Sequence, residues 1–423
     1  MMINYSGNYR WRILVLIFFA TTINYVDRQV LGMLKPFIAH DLGWTESGYG
    51  YIVTAFQVAY ALGLLLAGRI LDKIGTKQGY AIAITLWSLA GMAHAAARSV
   101  FSFGIARFFL GLGESANFPA AIKSVAEWFP KKERALATGL FNSGSSVGAI
   151  AAPVIVTSVT AYYGWQWAFL ITGASGFVWL IFWLVFYKIP EHHSRLSREE
   201  FLHIHSDRET GGEELMTWRK IITYKQTVAI CFSRFVTDWV WWFFLFWGPA
   251  FLNKTFGINL QEIVLPLILI YSAAGVGGIV IGWLSSHFIK SGKSIDYSRK
   301  MSILICALMV LPVMAAPKIG NLWIVTGLIA LATAAHQGWA SNIFTIVSDI
   351  FPKNVVATVV GLSGFAGAVG GALAASLVGL VLELTNSYSL ILSIAGFSYL
   401  IAWLILKLMI PKIEPMNTTL FVN

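Results

Sequence analysis

Two stretches of this chain read as copies of one another: "EWFPKKERALATGLFNSGSSVGAIAA", residues 127–152, and "DIFPKNVVATVVGLSGFAGAVGGALA", residues 349–374. At a constant offset they pair Phe129 with Phe351, Pro130 with Pro352, Gly139 with Gly361, Val147 with Val369 and Gly148 with Gly370. In each copy a short polar loop ends one apolar run and opens the next. Self-similarity this far apart means the molecule is built twice from one unit.

Composition says what the unit is made of. Of 423 residues, 57% are hydrophobic and only 12% are charged, where a soluble protein carries about 25%. Apolar runs of roughly 20 residues, the length a helix needs to cross a bilayer, recur from end to end. Twelve spans are predicted, near 11–37, 47–71, 79–98, 101–126, 135–161, 165–187, 227–253, 264–288, 300–316, 321–347, 355–384 and 388–410. The polar loop between the sixth and seventh divides them evenly. The expected fold is an all-α membrane protein: a six-helix bundle over 1–188, a linker over 189–226, and a second six-helix bundle over 227–423. Two repeats of the same topology imply an axis along the membrane normal, the plan of transporters that rock two halves about a central site.

The 30 Lys and Arg exceed the 20 Asp and Glu, but their placement argues against nucleic acid. They gather in alternate loops, and only Arg98, Lys254 and Lys318 fall in the opposite set. Both termini and the linker are therefore expected on the cytoplasmic side. Cys231 and Cys306 lie within spans, which argues against a disulfide framework. Arg10 and Arg12 precede an apolar run that continues past Asp27 without a small-residue cleavage site, so it reads as an uncleaved first span. In the linker, Ser197 and Glu200 form a capping-box pattern that opens a short helix. His192, His193, His203 and His205 cluster there too, and their spacing is not diagnostic of a metal. The linker reads as a solvated connection.

The charges inside spans are the chemistry. A charged side chain facing lipid costs roughly 2.5–3.5 kcal/mol on insertion scales, so each should turn inward and find a partner. Asn24, Asp27 and Arg28 share one face of the first span at i, i+3, i+4 spacing. Arg107 and Glu114 share a face of the fourth, two turns apart, with Gly111 between them to admit close approach. Asn117 and Phe118 continue that side, and Pro119 should bend the helix. Two carboxylates and two guanidiniums can neutralise each other as a structural network. They can also work: arginine holds a substrate carboxylate bidentately, and a carboxylate removed from water can exchange a proton near neutral pH. Together these make a proton-coupled binder of an organic anion.

Other polar and aromatic groups within spans are weaker candidates. Tyr25 lies beside the first face, and Gln57 and Tyr60 stand at i, i+3 in the second span. Asn142, amid "FNSGSS", is a candidate reader of hydroxyls. The seventh span is rich in aromatic residues around Trp242, which can stack on a sugar or simply pack. Arg234 and Asp238 there, at i, i+4, are expected to pair with each other. His336, Gln337 and Asn342 sit in the tenth span, where His336 can take part in proton transfer or only donate a hydrogen bond. Lys123 is expected to snorkel.

"GRILDKIGTK", residues 68–77, matches the G-x-x-x-D-x-x-G-x-K loop of the major facilitator superfamily. Gly68, Arg69, Asp72 and Gly75 are its gating candidates, with Asp72 able to lock one conformation against basic neighbours and a helix end. In the second half, "GWLSSHFIKSGK" from Gly282 is a degraded copy with Ser286 at the aspartate position.

"NYVDRQ", "RFFLGLGESANFPAAIKSVAEWFPKKERALATG" and "GWQWAFLITG" resemble the anion:cation symporter family within that superfamily. "LDKIGTKQGYA", "FNSGSSVGA" and "SDIFPKNVVAT" resemble bacterial hexuronate transporters in particular. The resemblance implies proton-coupled import of glucuronate or galacturonate through the bacterial inner membrane, and a monomer is expected. It implies proton uptake at Asp27 and Glu114 and carboxylate contacts at Arg28 and Arg107. No cofactor, metal or nucleic acid is expected. The alternatives are another sugar acid or organic anion, such as galactonate or glucarate, and a transporter-like sensor that binds without translocating. No nucleophile–base motif or metal-ligand cluster within the spans speaks for an enzyme.

Overall fold

The computed structural model describes residues 8–206, 221–351 and 353–415, apart from some side chains within them, Arg69 and Asp72 among these. Every regular element among the described residues is helical. Among the described residues ten helices are long and apolar enough to cross a membrane, and their outward faces are apolar. In the helix Trp165–Phe186, for example, Ile181, Phe182 and Val185 are exposed while Trp179 and Trp183 are buried. Such a surface suits lipid and not water.

By contacts the chain divides into two compact units, Met1–Val30 with Ala59–Gly212, and Leu31–Val58 with Glu213–Asn423. The first is built on α1 (Tyr9–Leu42, its first part), α2 (Glu46–Ile74, its second part), α3 (Thr76–Ala93), α4 (Val100–Glu114), α5 (Asn117–Trp128), α6 (Lys131–Tyr163), α7 (Trp165–Phe186) and the short α8 (Arg198–Ile204). The second adds α9 (Lys225–Phe246), α10 (Gly248–Phe256), α11 (Val264–Lys290), α12 (Ile295–Val310), α13 (Leu322–Ile350), α14 (Lys353–Thr385) and α15 (Ser389–Met409) to the remaining parts of α1 and α2.

Several predicted spans depart from a plain apolar helix. The fourth is broken at Ser115–Ala116 into α4 and α5, of 15 and 12 residues. Pro119 explains the break, but not at its own position. It cannot donate to the carbonyl of Ser115, four residues back, and its ring crowds that carbonyl. The tenth, α13, is 29 residues long, with an apolar run diluted by His336, Gln337 and Asn342. The ninth ends in a 3-10 turn over Leu311–Lys318, where Pro312 and Pro317 interrupt the α pattern.

Each unit contains the repeat's signature contact. A Cβ on Gly148 of α6 would collide with the Thr22 carbonyl oxygen of α1, and one on Gly370 of α14 would collide with that of Phe235 on α9. In both halves the fifth helix lies directly on the backbone of the first, as small residues permit in membrane bundles.

Two helix pairs of the first unit are joined by one glycine. Gly75 links α2 to α3 at φ 82°, ψ 158°, and Gly164 links α6 to α7 at φ 89°, ψ 166°. Only glycine visits this region at low cost. Side chains secure the α2–α3 joint. Lys123 Nζ donates to the Leu71 carbonyl at 2.9 Å, and Thr76 Oγ1 donates to Glu127 Oε1 at 2.6 Å. Tyr187 donates to the other oxygen of Glu127.

The linker is not simply solvated up to residue 206. Ser197 caps α8 by accepting from the Glu200 amide, but the Glu200 carboxylate does not close the capping box. It reaches the start of α1, accepting from the amides of Tyr9 and Arg10 and from Arg10 Nη1, each at 3.1 Å. It satisfies two of that helix's orphan N–H groups and complements its positive end. Arg10 and His203 both bond Glu133 of α6, at 3.1 and 2.7 Å. His193 lies against Tyr9 and Trp128, and burial there pushes its imidazole below the ordinary value. The apolar residues beside these histidines supply the burial that a polar linker alone would lack. No group of metal ligands occurs among the described residues.

Two outcomes are expected for purified protein in detergent. Gly75→Ala strains the joint by about 1–3 kcal/mol and lowers the thermal unfolding midpoint, whereas Gly68→Ala, in open space within α2, leaves it unchanged or raises it. Glu200→Ala strips acceptors from two buried amides at roughly 1–3 kcal/mol. Its midpoint falls, and an unchanged value would show that α8 does not anchor α1.

Candidate functional site

Helix α4 begins at a capping box in which Ser99 and Ser102 satisfy each other's backbone amides. It is pressed onto α3 at Gly113, where a Cβ would come within 2.8 Å of the Trp87 nitrogen. These constraints fix where the α4 face points, and it points at α1.

Arg28 is the centre of the site. Its Nε donates to Glu114 Oε2 at 2.8 Å, and its Nη2 donates to Asn24 Oδ1 at 3.2 Å. The Arg28 and Glu114 side chains are 1% and 0% exposed. Two tyrosine rings flank the guanidinium, with centroids 5.0 Å away for Tyr25 and 4.8 Å for Tyr60. Such ring faces stabilise a desolvated cation. Arg107 approaches the same residue from behind, its Nη2 donating to the Arg28 carbonyl at 2.8 Å. The face of α4 therefore grips one residue twice, by side chain at Glu114 and by backbone at Arg107.

Asp27 and Glu114 differ in their surroundings. Glu114 Oε2 is ion-paired, while Oε1 has no hydrogen bond among the described residues. Both carboxylate oxygens of Asp27 are buried without a hydrogen bond of good geometry there. Thr172 of α7, Arg107 and Glu114 are its polar and charged neighbours. Buried acceptors without donors are rare in folded proteins and call for a role.

The other candidates scatter. Asn117 does not join the charges. It accepts from Tyr80 at 2.6 Å and lies 3.3 Å from Thr21, so it fastens α5 to α3 and α1. Asn142 is exposed on α6. In the second unit, Gln57 is fully buried with neither amide atom hydrogen-bonded among the described residues. It meets Trp242 across Gly371, where a Cβ would lie 2.9 Å from the indole and 3.2 Å from the amide. His336 Nδ1 is 2.6 Å from the Tyr399 hydroxyl, and its ring stacks on Trp241. The Tyr399 hydroxyl also lies 3.3 Å from the Thr237 carbonyl. Asn342 turns back to the Gly338 carbonyl of its own helix, and Gln337 stands beside Gly278 of α11. These three residues of α13 face three directions. Of the gating loop, Gly68 and Gly75 are described above, and the side chains of Arg69 and Asp72 lie outside the described residues.

The sequence reading missed Thr172 and Tyr80. Neither carries a signal in sequence, because a lone threonine or tyrosine in an apolar run is common in membrane helices.

A family model described as Major Facilitator Superfamily matches residues 17–375. The hexuronate transporter of Escherichia coli strain K12 is 32% identical over 406 residues, covering 94% of both chains. The galacturonate transporter of Dickeya chrysanthemi is 36% identical over 307 residues, 71% of this chain and 89% of its own. Among solved structures, an inward-facing bacterial homologue of the lysosomal transporter Spinster matches with a TM-score of 0.74 at 17% identity, covering 96% of each chain. A D-xylose–proton symporter matches with a TM-score of 0.73 at 15% identity, over 96% of this chain and 99% of that one. These two share the fold. The matched stretch covers most of the spans, and the relatives align along most of the chain. This chain belongs to the major facilitator superfamily and is a membrane transporter, not an enzyme.

Proposed function

We propose that the protein imports a hexuronate, glucuronate or galacturonate, together with protons across a bacterial inner membrane by alternating access. The observation that carries this reading is the closed group of two guanidiniums and two carboxylates around Arg28. With all four ionised the group is neutral. A substrate carboxylate entering it would leave one uncompensated negative charge in a desolvated place, at a cost of several kcal/mol. One proton on Glu114 or Asp27 restores neutrality. If Glu114 takes it, Arg28 is released from its ion pair and can hold the substrate carboxylate. Anion and proton then bind best together, which is what symport requires.

The sugar-acid part of the proposal is supported by relatives whose names specify hexuronate and galacturonate. A D-galactonate transporter of Escherichia coli is 30% identical over 86% of this chain, which makes an aldonate the next substrate to test. Basic residues in alternate loops support cytoplasmic termini.

Uptake of labelled glucuronate into proteoliposomes should be driven by an inward proton gradient and be indifferent to a sodium gradient. Glu114→Gln should abolish gradient-driven accumulation while leaving exchange of internal for external glucuronate intact. Loss of exchange as well would take the proton role away from Glu114. Arg28→Lys keeps the charge but loses the fork that bonds Glu114 and Asn24 at once. Its glucuronate affinity should fall roughly 10- to 100-fold, a loss on the scale of one hydrogen bond to a charged group.

A further inference from the structure

Helices α3 and α4 part toward the Ala93 end of α3. A cavity of about 510 Å³ opens between them within the first unit, a volume in the range of small-molecule sites. Ala90 and Ala97 are buried at its base, and Leu89, Ile105 and Phe109 stand exposed along its edges. Ala93 also lines it, and side chains this small leave open what leucines would fill. The lining is almost wholly apolar, and the exposed edges belong to the surface that lipid covers.

The length of the groove narrows what can lie in it. It follows the chain from Leu86 to Ala97, along α3 and a 3-10 turn over His94–Ala96. At about 1.5 Å per residue that is roughly 17 Å. One leaflet supplies about 15 Å of hydrocarbon, half of a core roughly 30 Å thick. A groove that starts at mid-span and ends at the loop after α3 therefore has the course of one acyl chain.

A cation stands at the loop end. Arg98 follows Ala97, and its amide donates at 3.1 Å to Oγ of Ser102, which lines the groove. Its Nη1 donates to the carbonyls of Ala95 and Ala97, each at 2.8 Å, and the guanidinium carbon lies 5.7 Å from the Trp165 ring. These contacts hold the exposed side chain where the groove ends. No carboxylate pairs with Arg98 among the described residues, and Nε and Nη2 keep donor capacity for an anion. Trp165 beside it is the residue type that favours the depth of the headgroups.

We propose that this groove binds one anionic phospholipid, with an acyl chain between α3 and α4 and the headgroup phosphate on Arg98. A headgroup without a cation of its own leaves the phosphate charge unopposed for the arginine, so phosphatidylglycerol is preferred to phosphatidylcholine. One wall of the groove is α4, the helix that carries Arg107 and Glu114, so the lipid helps to hold that helix against α3. The site does not depend on which acid the protein carries.

Native mass spectrometry of the full chain tests this, after delipidation in detergent and titration with phosphatidylglycerol or phosphatidylcholine. Wild type should retain one tightly held phosphatidylglycerol that phosphatidylcholine does not replace. Arg98→Gln should weaken that lipid roughly tenfold, and Arg98→Lys should recover part of the loss. Ala93→Trp fills the groove from an exposed position. It should hold one phosphatidylglycerol fewer than wild type, whatever the basic loops bind. Ala96→Trp, at another exposed position lining the cavity, replaces it if it fails to fold. Ile181→Trp, on the exposed face of α7, should keep the wild-type number. Unchanged lipid numbers in the groove-filling variants, or equal retention of the two lipids by wild type, would overturn the proposal. So would a loss in Ala93→Trp with none in Arg98→Gln, which would leave a groove for acyl chains that does not read the headgroup.

Discussion

The Arg28–Glu114 ion pair is the interaction on which the first unit depends. Removing one partner of so buried a pair costs about 3–5 kcal/mol, because the other is left as a lone charge. The surrounding structure is arranged to avoid that cost. Asn24 and the rings of Tyr25 and Tyr60 occupy the rest of the guanidinium, and Arg107 holds the carbonyl of the same residue. A break in the fourth span follows directly after Glu114. The helix therefore ends its regular run at the residue that pairs with Arg28.

Much of this was legible in sequence, and for a physical reason. Lipid imposes a length on every apolar run and a penalty on every charge, so the spans and the four inward charges announce themselves. Rotation about a helix axis does not. His336 reaches Tyr399 of α15 and Asn342 turns back to its own helix, and which neighbour each meets depends on how the helices pack. The position of the helix break illustrates the same limit. Pro119 marks that a break exists, but the carbonyl it disables lies four residues earlier. In sequence Glu200 reads as half of a local capping box for its own helix. Its carboxylate has a stronger use at the start of α1, which is distant in sequence.

The two halves keep the same scaffold and differ in what they line it with. Gly148 and Gly370 bring the fifth helix onto the first in each half. In the first half that helix carries Asp27 and Arg28. In the second it carries Trp241, Trp242 and the Arg234–Asp238 pair. A duplicated frame with divergent linings lets the two halves change independently of one another.

The single-glycine connections at Gly75 and Gly164 have a consequence for how such a chain can vary. A joint of one residue has no slack. Adding a residue would turn the following helix by about 100° about its axis and move its buried stripe off its neighbours. Neither joint can host a tag, a protease site or a natural insertion. Length variation must fall elsewhere, so the spacing from α2 to α3 and from α6 to α7 serves as a fixed ruler when distant members of this fold are brought into register.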